Sequence, residues 1–126
     1  MRRRLLLVDD EFDLLEIMAD LLHAEGYEVF TARNGQRALE VLEREPVDEV
    51  VTDLMMPVLS GDELVRRMRA DARWREIPVL TTSAGDGVGV ARQLGTEFLP
   101  KPFDADDLIA RVERLGARKS GSNGQS

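Results

Sequence analysis

Short apolar runs alternate along the chain with stretches in which apolar residues recur every three or four positions. Leu5-Leu6-Leu7-Val8 is continuously apolar, the pattern of a strand covered on both faces. From Glu11 to Ala24, Leu14, Leu15, Met18, Leu21 and Leu22 keep helical spacing, and Gly26 stands where a helix would stop. Tyr27 to Ala32 is β-rich, Asn34-Gly35 reads as a turn, and Ala38, Leu39 and Leu42 form the stripe of a second helix that ends before Pro46. Val50-Val51-Thr52 predicts a third strand running into Asp53. Leu64, Val65 and Met68 mark a third helix after Ser60-Gly61, and Pro78 to Thr82 a fourth strand. A weak, glycine-punctuated helix is expected from about Val88 to Leu94. Phe98-Leu99 is a short fifth strand, and Leu108, Ile109, Val112 and Leu115 a final helix.

Five β/α units of this kind define an α/β fold: a doubly wound parallel sheet with right-handed crossovers and helices on both faces. Every strand then points its carboxyl end to the same edge. At 126 residues the chain is one domain's worth of sequence. Residues 1–116 are expected to form that domain, and 117–126, rich in Gly and Ser, a flexible tail or linker. A net charge of −7 disfavours direct nucleic-acid binding. The absence of cysteine removes disulfides and thiolate chemistry and fits a reducing compartment. Arg2 to Arg4 followed by Leu5 to Val8 mimics a leader, but the apolar run stops at Asp9, short of the ~7 residues an export signal needs. The expected location is cytoplasmic, with no membrane association.

The reactive residues gather on that scaffold. Asp9 and Asp10 follow strand one, Asp53 ends strand three, Thr82 and Ser83 end strand four, and Lys101 follows strand five. All fall at the carboxyl edge, where open α/β sheets bind ligands. Three carboxylates brought together raise one another's pKa unless a cation compensates, and an all-oxygen set suits Mg²⁺. Magnesium so held usually completes its shell with water and phosphate oxygens, which points to phosphoryl chemistry. Such chemistry needs an oxygen nucleophile, a cation and a hydrogen-bond donor, and Asp53, Lys101 and Ser83 can supply them. Of the 17 basic residues only Lys101 and Lys119 are lysines. A compact ammonium at Lys101 therefore suits a point contact to a phosphoryl oxygen or carboxylate, where a plain surface lysine is the duller explanation. The flanking Pro100 and Pro102 stiffen the segment and make a cis Lys101-Pro102 bond possible.

Together, Val8-Asp9-Asp10-Glu11, Asp53-Leu54-Met55-Met56-Pro57 with Gly61, Pro78 leading to Ser83-Ala84, and Lys101-Pro102-Phe103 resemble the receiver domain of two-component response regulators. The resemblance covers about positions 4 to 116. It implies a flavodoxin-like sheet of order 2-1-3-4-5 and a phosphoacceptor switch rather than an enzyme acting on an external substrate. It implies that Asp53 accepts a phosphoryl group from a sensor histidine kinase or phosphotransfer protein. Asp10 and Asp53 would bind Mg²⁺ with the carbonyl of Met55, and Asp9 would act directly or through water. Ser83 would bind a phosphoryl oxygen and Lys101 form the ion pair, while Phe98 matches the aromatic switch position. A downstream effector protein is implied without being identified. The stretch between Ser83 and Lys101 is shorter than the family's by about one helical turn, and Gly85, Gly87 and Gly89 lower helix propensity there. Helix four is therefore expected to be short, irregular or mobile, with consequences for the output face it helps to form.

The remaining features have plainer explanations. Gly85 to Gly89 lacks dinucleotide-loop spacing. His23 is expected on a helix surface, Trp74 in packing between helix three and strand four, Arg66, Arg67 and Arg69 on a solvated helix face, and Arg2 to Arg4 as a basic terminus. Glu11 suits the positive end of helix one. A metal-dependent phosphohydrolase is disfavoured because Leu54-Met55 stands where that chemistry wants a second carboxylate. A receiver-like module that binds partners without phosphorylation is the other alternative.

Overall fold

The computed structural model describes residues 2–85 and 87–124, with side chains as far as Ala117. Five strands, β1 (Arg4–Val8), β2 (Glu28–Ala32), β3 (Glu49–Asp53), β4 (Val79–Ala84) and β5 (Glu97–Lys101), alternate with five helices. The helices are α1 (Phe12–Ala24), α2 (Gly35–Arg44), α3 (Gly61–Arg69), α4 (Gly87–Leu94) and α5 (Ala105–Gly124). The strands form one parallel sheet in the order β2-β1-β3-β4-β5. This is the expected (βα)5 flavodoxin-like arrangement.

The continuous apolar run of β1 now has its explanation. Leu6 and Val8 face a core shared with Val41 and Leu42 of α2 and with Leu64, Val65 and Met68 of α3. Leu5 and Leu7 face the opposite core, shared with Leu15, Met18 and Leu22 of α1 and Leu108 and Val112 of α5. A strand that feeds both cores must be apolar at every position, because successive side chains point to opposite faces. Each fully buried leucine contributes about 1.5–3 kcal/mol, and the two cores together hold the carboxyl edge rigid.

Several expectations need correction. Asn34-Gly35 is not a free turn: Asn34 caps α2, its side chain accepting from the Arg37 N–H at 2.8 Å, and Gly35 is already helical. An Asn side chain relieves one of the unbonded N–H groups at a helix start. The basic terminus is not merely solvated, because Arg3 pairs with Glu49, wholly buried at the start of β3. Arg4 opens β1 and reaches Glu28 and Glu45. Arg66 and Arg67 do lie on an exposed face, paired with Asp62 and Glu63 one turn earlier. Arg69 instead donates to the carbonyls of Arg75 and Ile77, closing the α3–β4 connection. Trp74 packs in the α2/α3 core with Arg73 stacked over its ring, as expected, and His23 is exposed in the last turn of α1. Helix α4 is short, at eight residues, yet α-helical throughout. Helix α5 continues through Gly116 to Gly124, past the last apolar position of its stripe.

Candidate functional site

The loops at the carboxyl edge bring Asp9, Asp10 and Asp53 together, with one carboxylate oxygen from each lying within 4.8 Å of the others. Asp9 and Asp53 are buried at the ends of β1 and β3, which are adjacent in the sheet. Asp10 is the more open of the three. Lys101 reaches in from the end of β5: its ammonium lies 2.9 Å from Asp9 Oδ2, 3.1 Å from Glu11 Oε1 and 3.7 Å from Asp53 Oδ2. The Lys101-Pro102 peptide is cis. Burial works against the ammonium, but its hydrogen bonds to Asp9 and Glu11 outweigh that and raise its pKa. It is therefore a permanent cation at the floor of an acidic cleft.

Asp53 carries a strongly perturbed carboxyl. Burial pushes its pKa up to about 6; Lys101 opposes this, Asp9 and Asp10 add to it, and the Met55 backbone N–H partly offsets it. At neutral pH Asp53 is mostly ionised, poorly solvated and short of cationic partners, which suits both a nucleophile and a ligand for a hard cation. Ser83 is buried at the end of β4, its hydroxyl donating to the Ala84 carbonyl at 3.1 Å. The Met55 side chain is exposed, and Phe98 sits half-buried on β5 with its carbonyl bound by Arg111.

The raised pKa has a stability consequence. Between about pH 4 and 6 the folded protein holds a proton on Asp53 that the unfolded chain has lost, so this group's contribution to stability falls as pH rises through that window and levels off above it. The cost at neutral pH is about 2–3 kcal/mol. Asp53→Asn should accordingly be more stable than wild type by about that amount at neutral pH, and equal to it below about pH 4. Urea denaturation at the two pH values measures this, and equal stabilities at both would contradict it.

The β3–α3 loop is shaped by one close approach. Gly61 donates its N–H to the Leu54 carbonyl at 3.1 Å, and a Cβ on Gly61 would lie 1.9 Å from the Asp53 carbonyl oxygen. The same loop holds Val58 at φ 71, a left-handed conformation that a β-branched residue adopts at a cost. Its other side rests on α2, where Gly35 donates to the Leu59 carbonyl.

Sequence reasoning brought forward Asp9, Asp10, Asp53, Ser83 and Lys101 as neighbours; the fold clusters the three carboxylates with Lys101 and puts Ser83 near the end of β4, the strand beside β3. It placed Glu11 at the end of helix one, adding negative charge beside the metal site, but missed its grip on Lys101. It also missed Glu49, whose position at a strand start carries no signal of burial. Trp74 precedes β4, at the opposite edge of the sheet from the cleft.

The family model of the response regulator receiver domain matches residues 5–113. The chain belongs to this family, whose members are signalling modules of two-component systems rather than conventional enzymes. It is 40% identical over 122 residues to the transcriptional regulatory protein CpxR homolog of Haemophilus influenzae, covering 93% of this chain and 52% of that protein. It is 38% identical over 120 residues to the sensor histidine kinase TmoS of Ectopseudomonas mendocina, covering 92% of this chain and 12% of that protein. The chain thus spans about half, or much less, of these relatives' length. A putative response regulator of Chloroflexus aurantiacus superposes with a TM-score of 0.87 at 30% identity, covering 93% of this chain and 99% of that one. Among the described residues no helix is long and apolar enough to cross a membrane.

Proposed function

We propose that this receiver is a phosphoacceptor switch, in which Asp53 takes a phosphoryl group from the phosphohistidine of a sensor histidine kinase or phosphotransfer protein. The observation that carries this reading is the cluster of three carboxylates facing Lys101 at one sheet edge. An Asp53 oxygen attacks phosphorus, the P–N bond breaks with its electron pair leaving on the imidazole, and an aspartyl phosphate forms. Asp9, Asp10 and Asp53, with the Met55 carbonyl, would hold Mg²⁺, a donor set of hard oxygens that suits this ion. When bound, the ion offsets charge on the phosphoryl oxygens. Lys101, already 3.7 Å from Asp53, pairs with a second phosphoryl oxygen. Ser83 turns its hydroxyl from the Ala84 carbonyl to a third, and Phe98 follows it.

The added charge of about −1.5 to −2 then biases a two-state surface toward an effector protein. We take residues 1–116 as the receiver unit and 117–126, whose described part continues α5 to Gly124, as a linker, a division that the end of the family match at residue 113 supports. The proposed location is cytoplasmic, and the proposed partners are proteins rather than nucleic acid or membrane.

The test is a Mg²⁺ titration followed by amide NMR, since Trp74 is badly placed to report on the cleft. Amides at Asp9, Asp10 and Leu54 should shift saturably in wild type, and Asp10→Asn should weaken the apparent affinity by about tenfold or more. Identical titrations of the two proteins would overturn the proposed metal ligand set.

A further inference from the structure

Strand β2 stands at the edge of the sheet, and among the described residues it pairs with β1 alone. The Glu28 N–H donates to the Arg3 carbonyl and the Ala32 carbonyl accepts from the Asp9 N–H, so Glu28, Phe30 and Ala32 direct their backbone groups at β1. Those groups alternate in direction along a strand, which leaves the N–H and C=O of Val29 and Thr31 pointing outward from the sheet. The strand keeps unbroken register with β1 and contains no proline. Neither a bulge nor a missing donor therefore blunts this edge.

Beside the edge runs a groove of about 800 Å³. One wall is the end of β2 at Thr31 with the Arg33 that follows it. The other is a stripe of α2, Arg37, Glu40, Val41 and Arg44, spaced to share one helix face. Arg37 pairs with Glu40 at 3.0 Å, which neutralises the one carboxylate of the stripe. Arg33 stacks over Phe12 and Arg44 is exposed, and neither forms an ion pair among the described residues. At the start of β2, Glu28 is answered by Arg4. The other carboxylate lining the groove is Asp10, at the end that meets the acidic cleft. The groove thus carries surplus positive charge in a chain whose net charge is −7.

From these two observations we infer that the β2 edge and the α2 stripe form a docking site for an extended acidic segment of a partner protein. The segment's backbone pairs with the outward N–H and C=O groups of Val29 and Thr31, adding a strand to the sheet. Its acidic side chains on the α2 side meet Arg33, Arg37 and Arg44, whose planar guanidinium groups bind both oxygens of a carboxylate. An open edge or a group of arginines is ordinary by itself, but the two side by side select one chemistry. A nucleic acid would meet the same arginines, yet it has no backbone to match a strand edge, and the chain's net charge repels a polyphosphate. The docking site does not depend on the phosphoacceptor role of Asp53.

The probe is a short end-capped peptide of alternating Glu and Thr, titrated into the whole chain to about 1 mM and followed by amide NMR. Wild type should show saturable shifts at Val29, Thr31 and Arg33 and along α2 from Arg37 to Arg44. At saturation the Val29 and Thr31 amides should exchange with solvent about tenfold more slowly. The same peptide N-methylated along its pairing edge keeps the charge without the hydrogen bonds, and a Lys-Thr peptide keeps the backbone but reverses the charge; neither should bind. Arg44→Glu should weaken binding about tenfold or more, whereas Arg66→Glu, on the exposed face of α3, should change it by less than about twofold. The two variants alter the net charge equally, so only a local role separates them. Arg44 is exposed and holds no ion pair, so Arg44→Glu keeps the fold, which its spectrum away from the groove verifies. No shifts at β2, equal binding of the N-methylated peptide, or equal weakening in the two variants overturns the proposal. Shifts at these residues with oligothymidylate and none with the Glu-Thr peptide overturn it in favour of nucleic acid.

Discussion

Asp53→Asn takes up no phosphoryl group from a small acyl phosphate and gives no beryllofluoride-induced NMR shifts, although it folds at least as stably as wild type. The amide nitrogen cannot serve as the nucleophile, and the amide oxygen lacks the charge that makes the carboxylate reactive. Burial, Asp9 and Asp10 all press against the Asp53 charge, and Lys101 opposes them by favouring the charged form. Neutralising the residue therefore relieves the fold while removing the chemistry. Such a pairing of lost function with gained stability separates a functional carboxylate from a structural one. The check is intact mass after incubation with Mg²⁺ and acyl phosphate, alongside urea denaturation. An adduct of equal yield in the variant would place the acceptor elsewhere.

Gly61→Ala destabilises the protein severely. Its new Cβ would fall 1.9 Å from the Asp53 carbonyl oxygen and 2.8 Å from the attached carbon, both backbone atoms at the end of the central strand β3. Flexible side chains can swing away from an intruding methyl, but a central strand cannot. The loop must lift off, breaking the Gly61 N–H bond to the Leu54 carbonyl and loosening the carboxyl edge beside Asp53. Overpacking of this kind costs about 3 kcal/mol, which lowers Tm by roughly 10 °C in a domain of this size. Thermal unfolding measures it, and a change of Tm under about 2 °C would show that the loop accommodates the methyl freely. Because the strained contact is to the carbonyl of Asp53, the proposed phosphoacceptor, the rate of acyl phosphate uptake should fall along with stability.

Much of this fold can be read from the chain because its burial is periodic. The run Leu5 to Val8 supplies both cores, and the stripes of α1, α3 and α5 match the buried positions closely. The parallel sheet follows from alternation, whereas the strand order rests on the resemblance to response regulators, since periodicity does not say which strands are neighbours. The acidic cleft was legible for a topological reason. Asp53 and Lys101 close strands, Ser83 is the last residue but one of β4, Asp9 and Asp10 follow β1, and parallel strands put all of those ends on one side.

What stayed hidden has no local signal. Glu49 is wholly buried because Arg3, 46 positions away, pairs with it, and no window of sequence contains both. Asn34 looked like part of a turn because Asn and Gly serve turns and helix starts alike. The glycines were the hardest to read. Gly61 and Gly87 look identical in sequence to Gly89, yet the first two are sites of close approach and the third faces open space. Helix α4 was expected to suffer from its glycines, and the structure gives Gly87 a packing reason for being there.

Asp53 is the proposed phosphoacceptor of a metal-assisted receiver. The most direct measurement is peptide-level mass spectrometry of the wild-type protein after incubation with acyl phosphate, with Mg²⁺ or with excess chelator. One base-labile, hydroxylamine-labile phosphoryl group is expected, located on the peptide containing Asp53 and formed only when Mg²⁺ is present. A group on any other residue, equal yield under chelator, or no adduct at all would contradict it.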